Sequence, residues 1–333
     1  MSYTVLGICG GNGVILHPFK KHLIGNIEPR QIFYTKDNKQ WASNFGDIPM
    51  EKLPWLVLKG TKIDLIIGAP DCGHSSVLAY SRAKKKSDPN DNPSLNMYFR
   101  LVKQYQPSMW VMENLPALLD TITIEELNDS YPNYDINFIC DSVSIYGNSQ
   151  LTRKRLLIVA IRKDGRFRHI KVTKPKRPMG LPKTGELLRG LTNKHTGHNS
   201  EGLEEIITLY AGFKMRVADI KEEWLTTRKQ HSRWLVEGRN FSTAPGVYRN
   251  VHNEYPMTAR KANRQFNPDG EMMSPRELAR IQGVPDSFVI YTERENGKYW
   301  VNKGRATVTK CPPYQMGTFI YKLIQKNNGF NND

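Results

Sequence analysis

No stretch of the 333-residue sequence approaches the roughly 20 consecutive apolar residues that a membrane-spanning helix needs, which excludes a helical membrane protein. Cysteine is scarce: Cys9, Cys72, Cys140 and Cys311 are all there is. No two of them are spaced C-x-x-C, which argues against a structural zinc site, and no metal is expected. Four cysteines in a chain of this length are not a disulfide framework, so each thiol is either core filler or a reactive group. The opening residues, MSYTVLGICGG, lack the basic flank and long apolar run of a secretory signal, and the expected location is the cytoplasm. Internal repeats and low-complexity tracts are missing as well. Acid is in short supply: 32 Asp and Glu stand against 48 Lys and Arg, a formal net charge of +16. Such an excess suits a polyanionic partner, though a basic enzyme with an ordinary substrate has the same sign.

The chain opens on an α/β pattern. Tyr3 to Ile8 is a β-branched, apolar run, and Gly10, Gly11 and Gly13 follow at once. The spacing then predicts a helix over Val14 to His22 and a second strand ending at Glu28. Strand, glycine turn, helix, strand and acid form the nucleotide-binding half of a doubly wound sheet. Glycine-rich turns also occur in sheets that bind nothing, so this block alone decides little.

Asp64 to Gly68 reads as a buried parallel strand, running into Pro70, Asp71 and Cys72. A polar loop with Lys84, Lys85 and Lys86 follows, then a helical pattern from Leu95 to Tyr105. Met109 to Met112 is another short strand, ending on Glu113. This is one βαβ unit, so its two strands are parallel and their C-terminal ends share an edge of the sheet. A thiol, Cys72, and a carboxylate, Glu113, are therefore expected at the edge where open α/β sheets bind ligands. Ile136 to Val143 and Leu156 to Ile161 read as a hairpin whose connection holds Gln150, Arg153 and Arg155. Cys140 is expected in the core.

Residues 162–189 hold ten Lys or Arg against two acids, with three prolines. The domain boundary is expected there. From 190 to 265, basic and aromatic residues interleave, as at Arg233 with Trp234, Arg239 with Phe241, and Tyr248 with Arg249; nucleic-acid surfaces and small aromatic cores both look like this. Ser274-Pro275-Arg276-Glu277 is a capping box with proline at the first helical position. A last amphipathic helix is expected over Pro313 to Gln325.

A cysteine and a carboxyl group at neighbouring strand ends suit attack on a heterocycle. Carbon 5 of cytosine is a poor nucleophile. A thiolate adding to carbon 6, while a carboxylic acid protonates N3, makes carbon 5 enamine-like and able to take an electrophilic methyl group. Nearby arginines would lower the thiol pKa, and partial burial would keep the acid protonated.

At these residues the sequence resembles the DNA cytosine-5 methyltransferases. The family's G-G-P-P-C-Q-G-F-S is matched at Gly68, Pro70, Cys72 and Ser76. Its E-N-V appears as Glu113-Asn114-Leu115. Its Q-x-R-x-R appears as Gln150 to Arg155 with one extra residue. Its R-E-x-A-R-L-Q-G-F-P-D appears as Arg276 to Asp286, and its G-D-I as Gly46-Asp47-Ile48. The blocks occur in the family order across nearly the whole chain.

The resemblance implies a Rossmann-like methyltransferase sheet, doubly wound, with a smaller inserted target-recognition domain. The catalytic domain would be 1–165 plus 266–333, and the recognition domain 166–265. It implies that Cys72 is the nucleophile, that Glu113 acts on N3 of the base, and that Arg153 and Arg155 hold the base and the cysteine loop. S-adenosylmethionine would be held by Ile8, Gly10, Gly11, Gly13, Glu28, Asp47, Ile48, Pro70 and Lys310. Double-stranded DNA would be the partner, bound by Lys84, Lys85, Lys86, Arg233, Arg239 and Arg249, with the target base flipped out because carbon 6 is sealed inside the stack. A monomer in a bacterial or phage-infected cell is expected. Thr307 to Pro313 replaces the family's final G-N-A/S-V block and puts Lys310 at or beside the Asn. An ammonium there repels a sulfonium and attracts a carboxylated donor such as carboxy-S-adenosylmethionine. Carboxymethyl transfer, methylation of tRNA, and an inactive DNA-binding relative are the alternatives.

Overall fold

The computed structural model describes residues 2–28, 39–51, 60–71, 92–191, 253–256, 258, 273–290, 308–309 and 311–327, together with the backbone of short strands between 206 and 266. The chain divides into two compact units. The first comprises 1–146, 154–177 and 312–333; the second comprises 147–153 and 178–311. The boundaries are expected at 165/166 and 265/266; the two units change over at 177/178 and 311/312 instead, and the short piece 147–153 goes with the second unit.

The first unit is built on seven strands: β1 (Val5–Ile8), β2 (Leu23–Ile27), β3 (Met50–Glu51), β4 (Leu65–Gly68), β5 (Met109–Asn114), β6 (Tyr134–Ser142) and β7 (Lys154–Arg162). Their spatial order is β3-β2-β1-β4-β5-β7-β6. The pairings among β1 to β5 are parallel. β7 runs antiparallel to both β5 and β6. This is the doubly wound α/β sheet that the sequence pattern implied, of the methyltransferase type that the resemblance implied. β1, β4 and β5 are buried at every position, as strands covered on both faces must be. The order reverses between β1 and β4, which is where such sheets open a crevice. The two strands approach closely there: a Cβ on Gly68 would run into the carbonyl oxygen of Ile8.

Helix α1 spans Lys39–Phe45 and α2 spans Pro93–Tyr105. α2 starts on an Asn92 cap with proline next, and ends at Gln106 in the left-handed region, before Pro107. Its Tyr98 is fully buried and donates to the Val111 carbonyl at 2.7 Å, fastening the helix to β5. Helix α3 (Ile124–Ser130) begins with a Thr123/Glu126 capping box. α4 spans Thr184–Leu188 and α5 spans Pro275–Ile281, the latter with the expected Ser274/Glu277 box. α6 (Tyr314–Asn327) rests on the segment after β1: a Cβ on Gly317 would meet the Ile15 carbonyl, and Phe19 meets Tyr321 edge-on.

Two expectations change. The helix expected over Val14 to His22 is a series of turns with one 3₁₀ turn, His17–Phe19. Gly13 at φ +86° and Pro18 leave too few residues for α-helical propagation. Cys140 is exposed, not core. β6 is the edge strand, and its alternation turns Ile139 inward and Cys140 outward.

Residues 163–177 form a strap on the first unit. Arg166 donates to the Ser2 carbonyl at 2.7 Å and lies 3.5 Å from Asp64, at the end of the sheet where β1 and β4 begin. Phe167 and Ile170 are buried. Further on, Lys174 pairs with Asp141, near the end of β6. The strap therefore crosses the sheet from one edge to the other. Several cations of the basic segment 162–189 are engaged within the unit: Lys163, for example, donates to the Pro132 carbonyl at 2.8 Å. In the second unit, 206–208 pairs with 214–216 and 235–236 with 239–240, both antiparallel, while 247–249 pairs with 264–266 in parallel.

Candidate active site

Glu113 is the fifth residue of β5 and lies at the C-terminal edge of the parallel strands. β7 brings Arg155 to it. The reversed register sets Asn114 opposite Leu156 and Glu113 opposite Leu157, so the first turn of β7 meets the last turn of β5. Arg155 Nε lies 2.9 Å from Glu113 Oε1, with the two side chains 19% and 9% exposed. Its NH1 also donates to the Lys154 carbonyl at 2.8 Å. A guanidinium locked this way fixes the direction of the carboxyl group and supplies positive charge at the edge.

The turn after β4 reaches the same edge. Asn114, buried, donates from Nδ2 to the Pro70 carbonyl at 3.2 Å and accepts from the Leu115 amide at 2.8 Å. Pro70 is thereby placed beside Glu113 by adjacent residues of β5. Cys72, and Lys84 to Lys86, lie outside the described residues. Tyr146 was missed by sequence reasoning. Burial, then the charges of Asp141, Cys140 and Glu113, push its hydroxyl well above the usual tyrosine range. The only signal available was a tyrosine just after an apolar strand.

The glycine turn lies at the same edge. Cys9, Gly11 and Gly13 all adopt positive φ. The Gly10 amide donates to Asn26 Oδ1 at 3.2 Å, and the Gly11 amide donates to Glu28 Oε2 at 2.9 Å. Ile8, Asn26 and Glu28 are buried. A Cβ on Gly11 would meet nothing within 4 Å, so the turn faces open space at that point. Asn26 was not singled out from sequence, because an asparagine inside an apolar strand carries no pattern of its own. Asp47 and Ile48 lie between α1 and β3. Gly46, at φ +65° with its amide on the Ala42 carbonyl at 2.7 Å, ends α1. The Ile48 carbonyl accepts from Trp41 Nε1 at 2.6 Å and Asp47 is exposed. The residue that ends β3 is Glu51.

Arg153 belongs to the second unit and is 2% exposed. Its NH1 bonds Gln282 Oε1 and reaches Gln150 Oε1 at 3.5 Å; its NH2 donates to the Cys311 carbonyl at 2.7 Å. Gln150 in turn donates to Ile281, and Gln282 to Val308. One guanidinium thus ties together the 147–153 turn, the end of α5 and the 308–311 segment. Arg155, in the first unit, is the arginine paired with Glu113. Lys310 and Arg233 lie outside the described residues, and Arg239 and Arg249 are placed only as backbone of short strands.

A family model for C-5 cytosine-specific DNA methylases matches residues 23–306. The chain belongs to that family. This methylase is 24% identical over 286 residues to the type II methyltransferase M.NgoPII of Neisseria gonorrhoeae, covering 80% of this chain and 79% of the relative. It is 25% identical over 322 residues to M.MthTI of Methanothermobacter thermautotrophicus, covering 89% and 91%. Among solved structures, Spodoptera frugiperda DNMT2 superposes with a TM-score of 0.63 at 14% identity, covering 97% of this chain and 99% of that one. The Entamoeba histolytica methyltransferase EhMeth gives 0.61 at 14% identity, covering 98% and 99%. At these identities the structural likeness concerns the fold.

The family implies S-adenosylmethionine as methyl donor. The methylase's own residues fit such a group: an open left-handed turn at Gly11, a buried acid after β2 holding that turn, and a buried Asn26 Nδ2 without a protein partner. Gly10, Gly11, Asn26 and Glu28 would hold it. Among the described residues no group of three or more His, Cys, Asp or Glu is gathered for a metal, and no helix is long and apolar enough to cross a membrane.

Proposed function

We propose that the methylase adds a methyl group to carbon 5 of a cytosine flipped out of duplex DNA, through a transient bond from Cys72 to carbon 6. The observation that carries this reading is the Glu113–Arg155 pair, 2.9 Å apart, at the sheet edge that the Pro70 turn leads to. The cofactor supplies an electrophilic methyl group. The Cys72 thiolate adds to carbon 6 as Glu113 gives a proton to N3, so negative charge does not build on the ring. Carbon 5 takes the methyl. A base then removes the proton from carbon 5, the Cys–carbon bond breaks to return the thiolate, and N3 gives its proton back to Glu113. Arg155 orients the carboxyl group throughout. Arg153 acts as a brace of the second unit, which engages DNA chiefly through phosphates.

The test is transfer of labelled methyl to duplex DNA, to tRNA and to no substrate, with nucleoside mass spectrometry of the product. The expected result is 5-methylcytosine in DNA only, abolished in Cys72→Ser. Product in tRNA alone, a carboxymethyl product, or no product at all would each replace this reading with one of the alternatives.

A further inference from the structure

We infer that Asn92 is a positioning residue for the nucleophile: its side chain holds the Asp71 carbonyl, which belongs to the peptide joining Asp71 to Cys72. This rests on the reading of Cys72 as the nucleophile. Two consecutive carbonyls are caught by two asparagines from different elements. Asn114, at the end of β5, donates to the Pro70 carbonyl at 3.2 Å. Asn92, at the start of α2, donates from Nδ2 to the Asp71 carbonyl at 2.7 Å. The Asp71 carbonyl shares a rigid plane with the amide nitrogen of residue 72. Holding that oxygen restrains the plane. Asn114 fixes the plane before it, so successive planes are held from both sides.

Asn92 has a second task. Its Oδ1 accepts from the Leu95 amide at 3.2 Å and caps α2, and the residue is buried. Capping alone does not require asparagine, because Asp and Ser cap about as well. Only the amide also offers a donor that reaches the Asp71 carbonyl. Asn92 stands outside every sequence block that suggested a site, and its two bonds join the base of the nucleophile turn to a 13-residue helix whose Tyr98 is anchored to β5.

The two tasks can be separated. Asn92→Asp and Asn92→Ser retain an acceptor for the cap and lose the amide donor; Asn92→Ala loses both. The assay is covalent adduct formation on a long duplex whose cytosines are all 5-fluorocytosine, with S-adenosylmethionine, alongside DNA and cofactor affinity and melting temperature. The adduct rate should fall roughly 10²-fold in the Asp and Ser variants, the scale of a displacement of about 1 Å at a reacting group. Affinities should stay at wild-type values in both, and melting temperature, lowered in all three by loss of the bond to Asp71, should drop most in Asn92→Ala, which also loses the cap. Wild-type adduct rates in Asn92→Asp and Asn92→Ser overturn the inference, as does a rate that follows melting temperature across the three variants. If the wild type forms no adduct at Cys72, by peptide mass, the nucleophile reading itself fails and this one falls with it.

Discussion

Removing Arg155 should destabilise the protein more than neutralising Glu113, although the two side chains form one pair. The charges are 2.9 Å apart. At that distance their attraction is about 1.4 kcal/mol in a water-like medium and about 6 kcal/mol at the effective dielectric near a protein surface. Desolvation offsets much of the larger figure. The partners are unequal: Glu113 is 9% exposed, while Arg155 is 19% exposed and retains the Lys154 carbonyl. Arg155→Ala takes the guanidinium from a buried carboxylate and should cost about 2–3 kcal/mol. Glu113→Gln leaves an arginine with a route to solvent and should cost about 1 kcal/mol. In the double variant a neutral amide replaces the stranded carboxylate, so part of the Arg155→Ala loss should return. Catalysis should behave differently. Glu113→Gln should slow single turnover by roughly 10²-fold, and adding Arg155→Ala should slow it little further, since the two act as a unit. Urea unfolding and single-turnover rates on all four proteins read both quantities. If Arg155→Ala costs no more stability than Glu113→Gln, or the two losses simply add, the buried pair does not hold the acid.

Other consequences are open to measurement. Gly68→Ala should destabilise by about 3 kcal/mol or more, since a Cβ there strikes the Ile8 backbone and not a side chain that can turn aside; an unchanged urea midpoint would contradict the close approach of β1 and β4. Arg153→Met should raise hydrogen exchange at 278–282 in the second unit while β5 stays protected, because Gln150, Gln282 and the Cys311 carbonyl lose their common donor. The carboxyls of Asp286 and Asp141 are held below the usual range, the first by its hydrogen bonds to Arg280, the second by those to Lys174 and the Ser142 amide. A depressed folded pKa stabilises above the unfolded pKa of about 3.9 and loses that contribution as pH falls through the folded value. Asp286→Asn should therefore be less sensitive to pH below about 4, and identical acid-unfolding curves would contradict the clamp. DNA affinity should fall linearly on log–log axes with salt.

The features legible in the sequence are those set by short-range chemistry. The apolar runs that became β4 and β5 admit only burial, and Glu113 follows one of them directly. The Ser274/Glu277 box declares a helix start with four residues. What was not legible depends on contacts between distant segments. Gly46-Asp47-Ile48 reads as one block, and only the fold shows that its glycine terminates α1 and that β3 starts at Met50, opposite Asn26. Arg153 and Arg155 are equivalent in a spacing pattern; they part company because the chain passes from one unit to the other between them. Cys140 looked buried because β6 reads as apolar, and whether a strand lies at the edge is a property of the whole sheet.

The strap across the sheet has a bearing on how this architecture can change. β7 ends beside Ser108, at the edge away from Glu113. A chain leaving there would carry any inserted module off the wrong side. The strap instead returns to Asp141, near the end of β6. The other crossings out of the first unit, after Tyr146, before Lys154 and before Pro312, fall just after β6, at the start of β7, and next to Tyr314, whose ring is 6.0 Å from His17 in the turn after β1. Every splice point thus lies on one rim of the sheet. The opposite rim, where Thr4, Asp64 and Arg166 are bonded together, has none. A different second unit can be spliced in at that one rim while the hydrogen-bonded foundation of the sheet is inherited unchanged.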